Sequence, residues 1–300
     1  MDGLIILNKP LNISSHDAVF KVRKILKEKK VGHTGTLDPL ASGILVLCIG
    51  GATKLCQYLT TDIKEYRAKI TLGFSTKTYD LEGEVVDTLD KVNVTLEEID
   101  KVADSFLGKS LQYPPIYSAI KKDGKKLYEY ALKNEEVEIP SRMIEVYKAK
   151  RVSDLIKEDG KVSFYIDFKV SKGTYIRSIA NDFGKKMNIP SVLAGLERVE
   201  CGMFKIEDSF TIEDIEQGNY KIISMIEAVK EFFKVSDEES IMKAKNGMKI
   251  SYRFVKEKYG DTPDKIAIID ESLNKLVAIY TLFFNEEIKK YYYKAETVWN

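Results

Sequence analysis

The sequence predicts an α+β protein with a large first domain and a small second one. Short apolar or alternating stretches typical of strands occur along the whole chain, and amphipathic stretches with polar helix caps lie between them. From about residue 236 the pattern changes to short strands separated by turn residues. A chain of 300 residues fits this division, since domains average about 100 to 200 residues. We therefore expect domains over residues 1–235 and 236–300.

The first predicted elements are a strand and a helix. The apolar run GLIIL (3–7) ends at Asn8-Lys9-Pro10 and predicts a buried strand. Ser14 and Asp17 have the spacing of a capping box, which predicts the start of a helix. One face of that helix carries the apolar side chains of Val19, Val22, Ile25 and Leu26.

Further strands and helices follow from the same patterns. The run ILVLCIG (44–50) predicts a second buried strand, and residues 66–73 and 162–170 alternate as half-exposed strands do. The remaining stretches are predicted to be helical: 95–107 behind the cap Thr95, the segment that ends before Pro190, and 211–233. Residues 110–142, marked by Pro and Lys at both ends, predict a partly helical insertion that projects from the core.

Composition excludes several classes of protein. Apolar residues make up 44% and charged residues 31%, as in ordinary globular proteins, and no apolar run approaches the roughly 18 residues of a membrane span. The N-terminus is acidic where a signal peptide would be basic, so we expect a cytoplasmic protein. Three cysteines without a C-x-x-C pair and only two histidines predict neither a disulfide framework nor a metal site.

Positive charge is concentrated in two segments although the net charge is only +1. Residues 1–70 carry 11 Lys and Arg against 6 Asp and Glu, and residues 109–151 carry 10 against 6. In QYPPIYSAIKKDGKKLYEYA (112–131) the lysines alternate with aromatic residues, a composition that suits phosphates and stacked bases. Taken alone, either cluster is explained as well by a solvated charged surface.

The stretch GHTGTLDPLASGILVL (32–47) places Asp38 in a loop before a buried strand. Pro39 favours extended backbone at Asp38, and the glycines allow turns on both sides, so the loop would hold a carboxylate rigidly. The residues alone favour a turn cap on the amides of Leu40 or Ala41. A Ser-His-Asp triad lacks a G-x-S-x-G elbow here, and glycoside hydrolysis lacks a second identified acid.

Several motifs in order resemble the TruB family of tRNA pseudouridine synthases, which modify a uridine in the T loop. GHTGTLDPLASGIL resembles the signature loop of that family. Four further segments are similar to its Lys-Pro motif, its next strand and turn, its thumb insertion and its arginine motif: GLIILNKPLNISSHDAV, YRAKITLG with Thr76 to Gly83, QYPPIYSAIKKDGKKLYEYA, and VSKGTYIRSIANDFG. About 200 residues are covered. AKNGMKI (244–250) resembles a turn of PUA-type RNA-binding modules.

The resemblance implies a fold and an activity. The fold would be a catalytic domain on a mixed, largely antiparallel sheet, with a thumb at about 110–142 and a small PUA-like domain. The reaction breaks the N1–C1′ bond of uridine, rotates the uracil and rejoins it through C5, without metal or cofactor. The implied partner is the T arm of tRNA, and neither a guide RNA nor an obligatory protein partner is expected.

The resemblance also assigns the reacting groups. Asp38 corresponds to the nucleophile, and Arg177 to the cation that keeps this carboxylate ionised and aimed. Tyr66 corresponds to a tyrosine that stacks on the flipped base and is a candidate for removing the C5 proton, although a phenol with a pKa near 10 is a poor base at neutral pH. By spacing alone, Tyr66 fits the core equally well.

Supporting residues follow from the same motifs. Tyr175 and Leu196 correspond to residues that contact the base, and His33 to the one that fills the space left by the flipped uridine. The structural supports of the site are expected to be Lys9, Pro10 and Asp80. Turn capping explains Asp80 equally well.

This chain departs from the family pattern in two places. Glu197 and Glu200 stand where the family has arginines, which predicts weaker phosphate contacts at that edge. The thumb ends in Leu132-Lys133-Asn134, where an arginine and a glycine are expected.

Two other functions remain open from the sequence. One is a non-catalytic RNA-binding or tRNA-folding protein on the same scaffold, and the other is an aspartate-dependent nucleosidase that releases free uracil.

Overall fold

The computed structural model describes residues 1–59, 63–287 and 289–299. In the larger part of the chain the strands are, in order, β1 (Gly3–Lys9), β2 (Val31–His33), β3 (Ala41–Ile49), β4 (Ile63–Leu72), β5 (Phe74–Thr76), β6 (Val85–Thr88), β7 (Gly108–Gln112), β8 (Lys121–Lys122), β9 (Lys125–Lys126), β10 (Arg142–Arg151), β11 (Ile156–Glu158), β12 (Lys161–Ser171), β13 (Ser191–Cys201) and β14 (Phe204–Lys205). The helices are α1 (Ser15–Leu26), α2 (Leu96–Asp104), α3 (Leu127–Leu132), α4 (Ile176–Met187), α5 (Ile212–Glu216) and α6 (Met225–Ala228), with short 3₁₀ helices at Gly50–Leu55 and Ile206–Asp208.

Within the described residues, ten of these strands build one central sheet, while β5 pairs with β6 and β8 with β9 in two separate hairpins. Its main order is β1-β3-β13-β4-β12-β10-β7, with β2, β11 and β14 attached at the sides. Every pairing in this sheet is antiparallel except that of β13 with β3. The predicted α+β class and the largely antiparallel sheet are confirmed.

The position of β13 brings distant parts of the chain together. Leu196 is paired with Ala41 of β3, and Arg198 with both Gly43 of β3 and Tyr66 of β4. A parallel partner must return through a long crossover, here the whole segment from β4 to α4. As a result, the loop before β3 lies beside side chains from the middle of β4 and β13.

Helices α2 and α4 pack on one face of the central sheet. Ala68, Ile70 and Leu72 of β4 point into this core, as their alternation predicts, together with Phe164 of β12 and Phe183 of α4. The opposite face of β4 carries charged side chains. There Arg67 donates from Nε to Asp167 Oδ1 at 2.9 Å.

A second sheet contains the strands of the C-terminal part. They are β15 (Phe233–Val235), β16 (Ile250–Ser251), β17 (Lys265–Asp270), β18 (Lys275–Asn285) and β19 (Lys290–Val298), in the order β15-β17-β18-β19-β16, with α7 (Glu238–Lys245) and α8 (Tyr252–Tyr259) beside them. Ile269 and Ile279 share an apolar cluster with Leu4 and Val46 of the central sheet. Trp299 Nε1 also donates to the Gly51 carbonyl at 2.8 Å, so the two sheets are packed against each other. The division at residue 235 stays a prediction.

Local sequence signals were strongest at the helix caps. The capping boxes of Ser14 with Asp17 and of Thr95 with Glu98 are both formed. The helix predicted over 211–233 was wrong in extent: only α5 and α6 form, because Gly218 takes a left-handed conformation (φ 81°) after α5. Asn246-Gly247 ends α7 instead of joining two strands.

The thumb segment lies between β7 and β10. It contains the β8–β9 hairpin and the short helix α3, in agreement with the partly helical insertion that the sequence predicts. Both ends of the segment are strands that pair with each other in the central sheet, Gln112 with Arg142. The insertion therefore projects from a fixed base.

We expect Gly43→Ala to destabilise the protein by about 3 kcal/mol, because overpacking and a positive φ combine. At φ 98°, an added Cβ would lie 2.4 Å from the Arg198 carbonyl oxygen and 2.7 Å from its nitrogen. Gly218→Ala is the matched control, since Gly218 also has a positive φ but no heavy atom within 4 Å of the added Cβ. Urea unfolding of the variants should show a loss of about 1 kcal/mol for the control. Equal losses would contradict close packing of β3 on β13.

Candidate active site

The loop before β3 is held on both sides of Asp38. Ser15 at the start of α1 binds both main-chain groups of Leu37: its Oγ accepts from the amide at 2.8 Å and donates to the carbonyl at 2.9 Å. On the other side, the amide of Asn12 donates to the Pro39 carbonyl at 2.9 Å. Between these contacts, the Asp38 side chain is 52% exposed. A fixed backbone thus presents an accessible carboxylate.

The carboxylate of Asp38 faces a cation instead of capping the turn. The amide of Ala41 donates to the main-chain carbonyl of Asp38 at 3.0 Å. Asp38 Oδ2 lies 3.1 Å from Nη2 of Arg177. The turn that the sequence favoured is formed, but by backbone, which leaves the side chain to the ion pair.

Arg177 connects four parts of the protein. It lies in the first turn of α4, with its side chain 12% exposed. Nη2 faces Asp38 and donates to the carbonyl of Tyr117, at the base of the thumb, at 3.3 Å. Nη1 lies 3.1 Å from Asp80 Oδ2 and 3.4 Å from the carbonyl of Thr78. With acceptors on both nitrogens, the guanidinium has a fixed orientation towards Asp38.

Asp80 caps its own turn and pairs with Arg177 at the same time. Its Oδ1 accepts from Thr78 Oγ1 at 2.5 Å and from the amide of Glu82 at 3.1 Å, while Oδ2 pairs with Arg177. The two interpretations of Asp80 in the sequence are therefore compatible.

Two cavities meet at the pair of Asp38 and Arg177. One, of about 410 Å³, extends past Asp80 and is lined mainly by apolar side chains such as Leu81. The other, of about 500 Å³, is lined by groups from the loop, the strands, the thumb and α4, among them Tyr66, Tyr117, Ser118, Tyr128, Tyr175 and Arg198. Leu196 lines both. Hence Asp38, Tyr66, Tyr175, Arg177 and Leu196 lie together as predicted, whereas Lys9, Pro10 and His33 are not in either wall.

Arg198, which sequence analysis did not single out, is the buried cation of the site. Its side chain is 1% exposed, and it donates from Nε to the Ile44 carbonyl at 2.7 Å and from Nη2 to the Gly35 carbonyl at 3.0 Å. Burial raises the pKa of the neighbouring Tyr66, and the positive charge of Arg198 opposes that rise. Tyr66 is consequently protonated at neutral pH. The available signal was that Arg198 is the arginine retained between Glu197 and Glu200.

Lys9 and His33 lie behind the loop. Lys9 is fully buried, and its Nζ donates to the carbonyls of Pro10 and Ile13, both at 2.8 Å. Burial lowers its pKa to about 8, although the negative charge of Asp38 opposes this. Burial, with the nearby charge of Arg198, also lowers the pKa of His33. The imidazole of His33 is therefore neutral at pH 7 and does not carry an additional proton that it could donate.

The base of the thumb is joined to the start of α4 through Tyr175. Gln112 accepts from the Tyr175 amide at 2.8 Å and donates to its carbonyl at 3.0 Å. The guanidinium of Arg142 lies over the Tyr175 ring at 5.6 Å from its centre. The ring and the thumb base are thus positioned by the same two strands, β7 and β10.

No group of three or more His, Cys, Asp or Glu side chains is arranged to hold a metal ion in the part of the chain that the structure describes. Within the same ranges, no helix is long and apolar enough to cross a membrane.

Comparison with known proteins identifies the family of this chain. The model of the TruB family pseudouridylate synthases (N terminal domain) matches residues 23–176. This chain belongs to that family. The tRNA pseudouridine synthase B of Bacillus anthracis is 42% identical over 290 residues, covering 93% of this chain and 92% of that protein. The enzyme of that name from Staphylococcus haemolyticus is also 42% identical, with 93% and 94% covered. The predicted family resemblance is confirmed.

Solved structures share the fold of this TruB-family chain. An H/ACA RNP bound to a substrate RNA containing 2′-deoxyuridine includes a chain with a TM-score of 0.71 and 22% identity, covering 99% of this chain and 85% of its own. A Cbf5-Nop10-Gar1 complex gives 0.69 and 24%, with coverage of 99% and 84%. The similarity spans both sheets.

The two glutamates that depart from the family pattern lie beside cations of β12 and β4. Glu200 Oε1 is 2.5 Å from Nζ of Lys169, and Glu197 is paired in register with Arg67 of β4. Since alternate residues of a strand face opposite sides, Glu197 points away from the side of Arg198. Their charge is compensated within the sheet.

We expect Arg198→Met to lower the free energy of unfolding by about 2 to 4 kcal/mol, because two buried carbonyls lose their donor. Arg253→Met is the control: the Arg253 side chain is 85% exposed, and its ion-pair partner within the described ranges is Glu257 one turn away. Such an exposed pair contributes about 0.5 kcal/mol or less. Chemical denaturation of both variants measures the difference. Similar stabilities would show that Arg198 does not anchor the loop.

Proposed function

We propose that this protein converts a uridine in the T loop of tRNA to pseudouridine, with Asp38 as nucleophile. The observation that carries the proposal is the exposed Asp38 carboxylate, 3.1 Å from Arg177, at the junction of two cavities. Membership of the pseudouridylate synthase family and 42% identity to enzymes named tRNA pseudouridine synthase B support the reaction and the substrate.

The residues present suit a carboxylate nucleophile. Asp38 attacks either ribose C1′ or uracil C6, and the N1–C1′ bond breaks with its electron pair remaining on the uracil. After rotation, C5 bonds to C1′, the C5 proton leaves, N1 gains a proton, and the carboxylate is released unchanged. Arg177 places a positive charge beside the Asp38 carboxylate and fixes its direction. The reaction is an isomerisation and consumes no co-reactant.

The larger cavity would receive the flipped base. Tyr66 and Tyr175 provide aromatic surfaces, and Leu196 an apolar one, for the faces of a planar ring. His33, neutral and half-buried behind the loop, would fill the position that the uridine vacates. Lys9 and Pro10 would maintain the turn that supports the loop, and Asp80 the orientation of Arg177.

The proposed partner is the T arm of tRNA, bound through the basic thumb and loop segments. We further propose that no guide RNA or obligatory protein partner is needed. In support, the chain is 42% identical to enzymes named for tRNA, against 22% and 24% for the chains in the RNP structures.

The wild-type protein should release tritium to water from T-arm RNA labelled at uridine C5, and Asp38→Asn should lose this activity by orders of magnitude while still binding RNA. The amide keeps the shape of the carboxylate but cannot form and release the covalent bond. Asp182→Asn is the control, since the Asp182 side chain is 42% exposed and its ion-pair partner among the described residues is Lys185.

Three outcomes separate the candidate functions. Binding without release by the wild type indicates an RNA-binding or folding protein. Free uracil in nucleoside analysis indicates a nucleosidase. Turnover by Asp38→Asn removes Asp38 from the mechanism.

If Tyr66 accepts the C5 proton, Tyr66→Phe should still bind RNA but release tritium at least tenfold more slowly, whereas Tyr66→Ala should also bind poorly. Because the pKa of Tyr66 is raised, single-turnover release by the wild type should accelerate about tenfold per pH unit below that pKa. The phenylalanine variant should lack this slope. Tyr58→Phe is the control, as the Tyr58 hydroxyl contacts Thr297 and Tyr58 lines neither of the two cavities. Full activity of Tyr66→Phe would restrict Tyr66 to stacking.

A further inference from the structure

Ser118, at the base of the thumb, has a hydroxyl without a hydrogen-bond partner in the part of the chain that the structure describes. Its amide donates to the Ile116 carbonyl at 2.9 Å, and its carbonyl accepts from the Tyr128 amide at 3.2 Å. The side chain is 5% exposed, and its Oγ has no hydrogen-bond partner among the described residues. The backbone is thus fixed while the hydroxyl keeps its full capacity to donate and accept.

An unpaired buried hydroxyl destabilises a folded protein, because it has lost water and gained nothing in return. Most buried polar groups are paired for this reason, and an exception calls for a compensating role. Ser118 has a location that suggests one. It lies in the wall of the larger cavity with Tyr66, Tyr175 and Leu196, and directly follows Tyr117, whose carbonyl accepts from Arg177.

The side chains assigned so far to a bound base contact its faces and leave its edge without a partner. Tyrosine rings and the Leu196 side chain suit the two faces of a flat ring, but the carbonyl oxygens of uracil require donors. The obvious cations are occupied elsewhere. Arg177 is engaged by Asp38, Asp80 and main-chain carbonyls, and Arg198 donates to the carbonyls of Ile44 and Gly35. The Ser118 hydroxyl has this capacity unused.

We propose that Ser118 is a substrate-binding residue whose hydroxyl donates a hydrogen bond to a carbonyl oxygen of the flipped uracil. The inference rests on the proposed function and extends it, since the thumb then contributes directly to recognition of the base. Entry of the base rearranges the contacts that cover the oxygen in the free protein. Its pairing offsets part of the cost of removing the base from the RNA stack.

The test compares Ser118→Ala with Ser240→Ala. Ser240 also has a buried, unpaired Oγ and is fully buried, but it lies in α7 beside the second sheet. Both variants should unfold at the same urea concentration as the wild type or a higher one, since each removes an unpaired polar group. Tritium release should show kcat/KM about tenfold lower for Ser118→Ala, the value of one hydrogen bond, and unchanged for Ser240→Ala.

Substrate analogues identify the partner atom. T-arm RNAs with 2-thiouridine or 4-thiouridine at the target position each replace one uracil carbonyl oxygen by a poorer acceptor. One of the two should lower kcat/KM of the wild type but have little further effect on Ser118→Ala, because the interaction is already lost. If the losses add for both analogues, the bond to a uracil carbonyl is refuted.

Other results also overturn the assignment. Unchanged kcat/KM for Ser118→Ala would show that the unpaired hydroxyl has no part in binding substrate. A stability loss that accompanies the activity loss would show a structural role. Failure of the wild type itself to release tritium would refute the proposed function, which is distinguishable from either result.

Discussion

The hydrogen bonds of the buried Arg198 guanidinium hold the candidate site together. This one side chain starts on β13, binds the Ile44 carbonyl of β3 and reaches the Gly35 carbonyl in the loop that carries Asp38. A fully buried arginine is tolerated only where its donors find acceptors, and main-chain carbonyls supply them without a compensating carboxylate. Gly43 lies so close to the Arg198 backbone that a side chain at position 43 would clash with it. Loop position therefore depends on strand pairing far along the chain.

A second arginine performs a different task because its surroundings differ. Arg177 is partly exposed and faces two carboxylates, one buried and one open to solvent. The buried partner, Asp80, is fixed by its own turn and in turn fixes the guanidinium. The exposed partner, Asp38, is free to react. An exposed ion pair alone contributes little to stability. The pair of Asp38 and Arg177 therefore serves to orient the Asp38 carboxylate and to place a positive charge beside it.

The sequence predicted those parts of the fold that local chemistry determines. Ser14, Thr95 and the alternation of β4 are signals that act within a few residues, and the structure has the elements they indicate. The helix expected over 211–233 failed because apolar periodicity continues past Gly218, where the backbone turns left-handed. Strand β10 was not predicted, since its pairing with β7 and β12 is set by contacts across the sheet.

The site shows the same limit more sharply. Asp38 and Arg177 were recognised only through motifs, because their ion pair joins residues that no local pattern relates. Arg198 and Ser118 were not singled out: the burial of a cation and the missing partner of a hydroxyl are properties of the assembled structure. Sequence patterns indicate residues that stabilise the local structure in which they lie. A buried cation and an unpaired buried hydroxyl are locally destabilising, so Arg198 and Ser118 are recognised only in the folded structure.

Such local costs cluster around one carboxylate. Lys9 is buried with a pKa lowered to about 8, His33 is half-buried with a buried Nδ1 that is unpaired in the described structure, and Ser118 Oγ is unpaired as well. Each would be more stable in water, yet all surround the loop or its cavity. A core selected for stability alone would replace them with apolar side chains of similar size, as buried polar groups often can be. Of the three, Ser118 lines the larger cavity, so under the proposed function its hydroxyl would gain a partner when a base enters and would offset part of the stability that it costs the free protein.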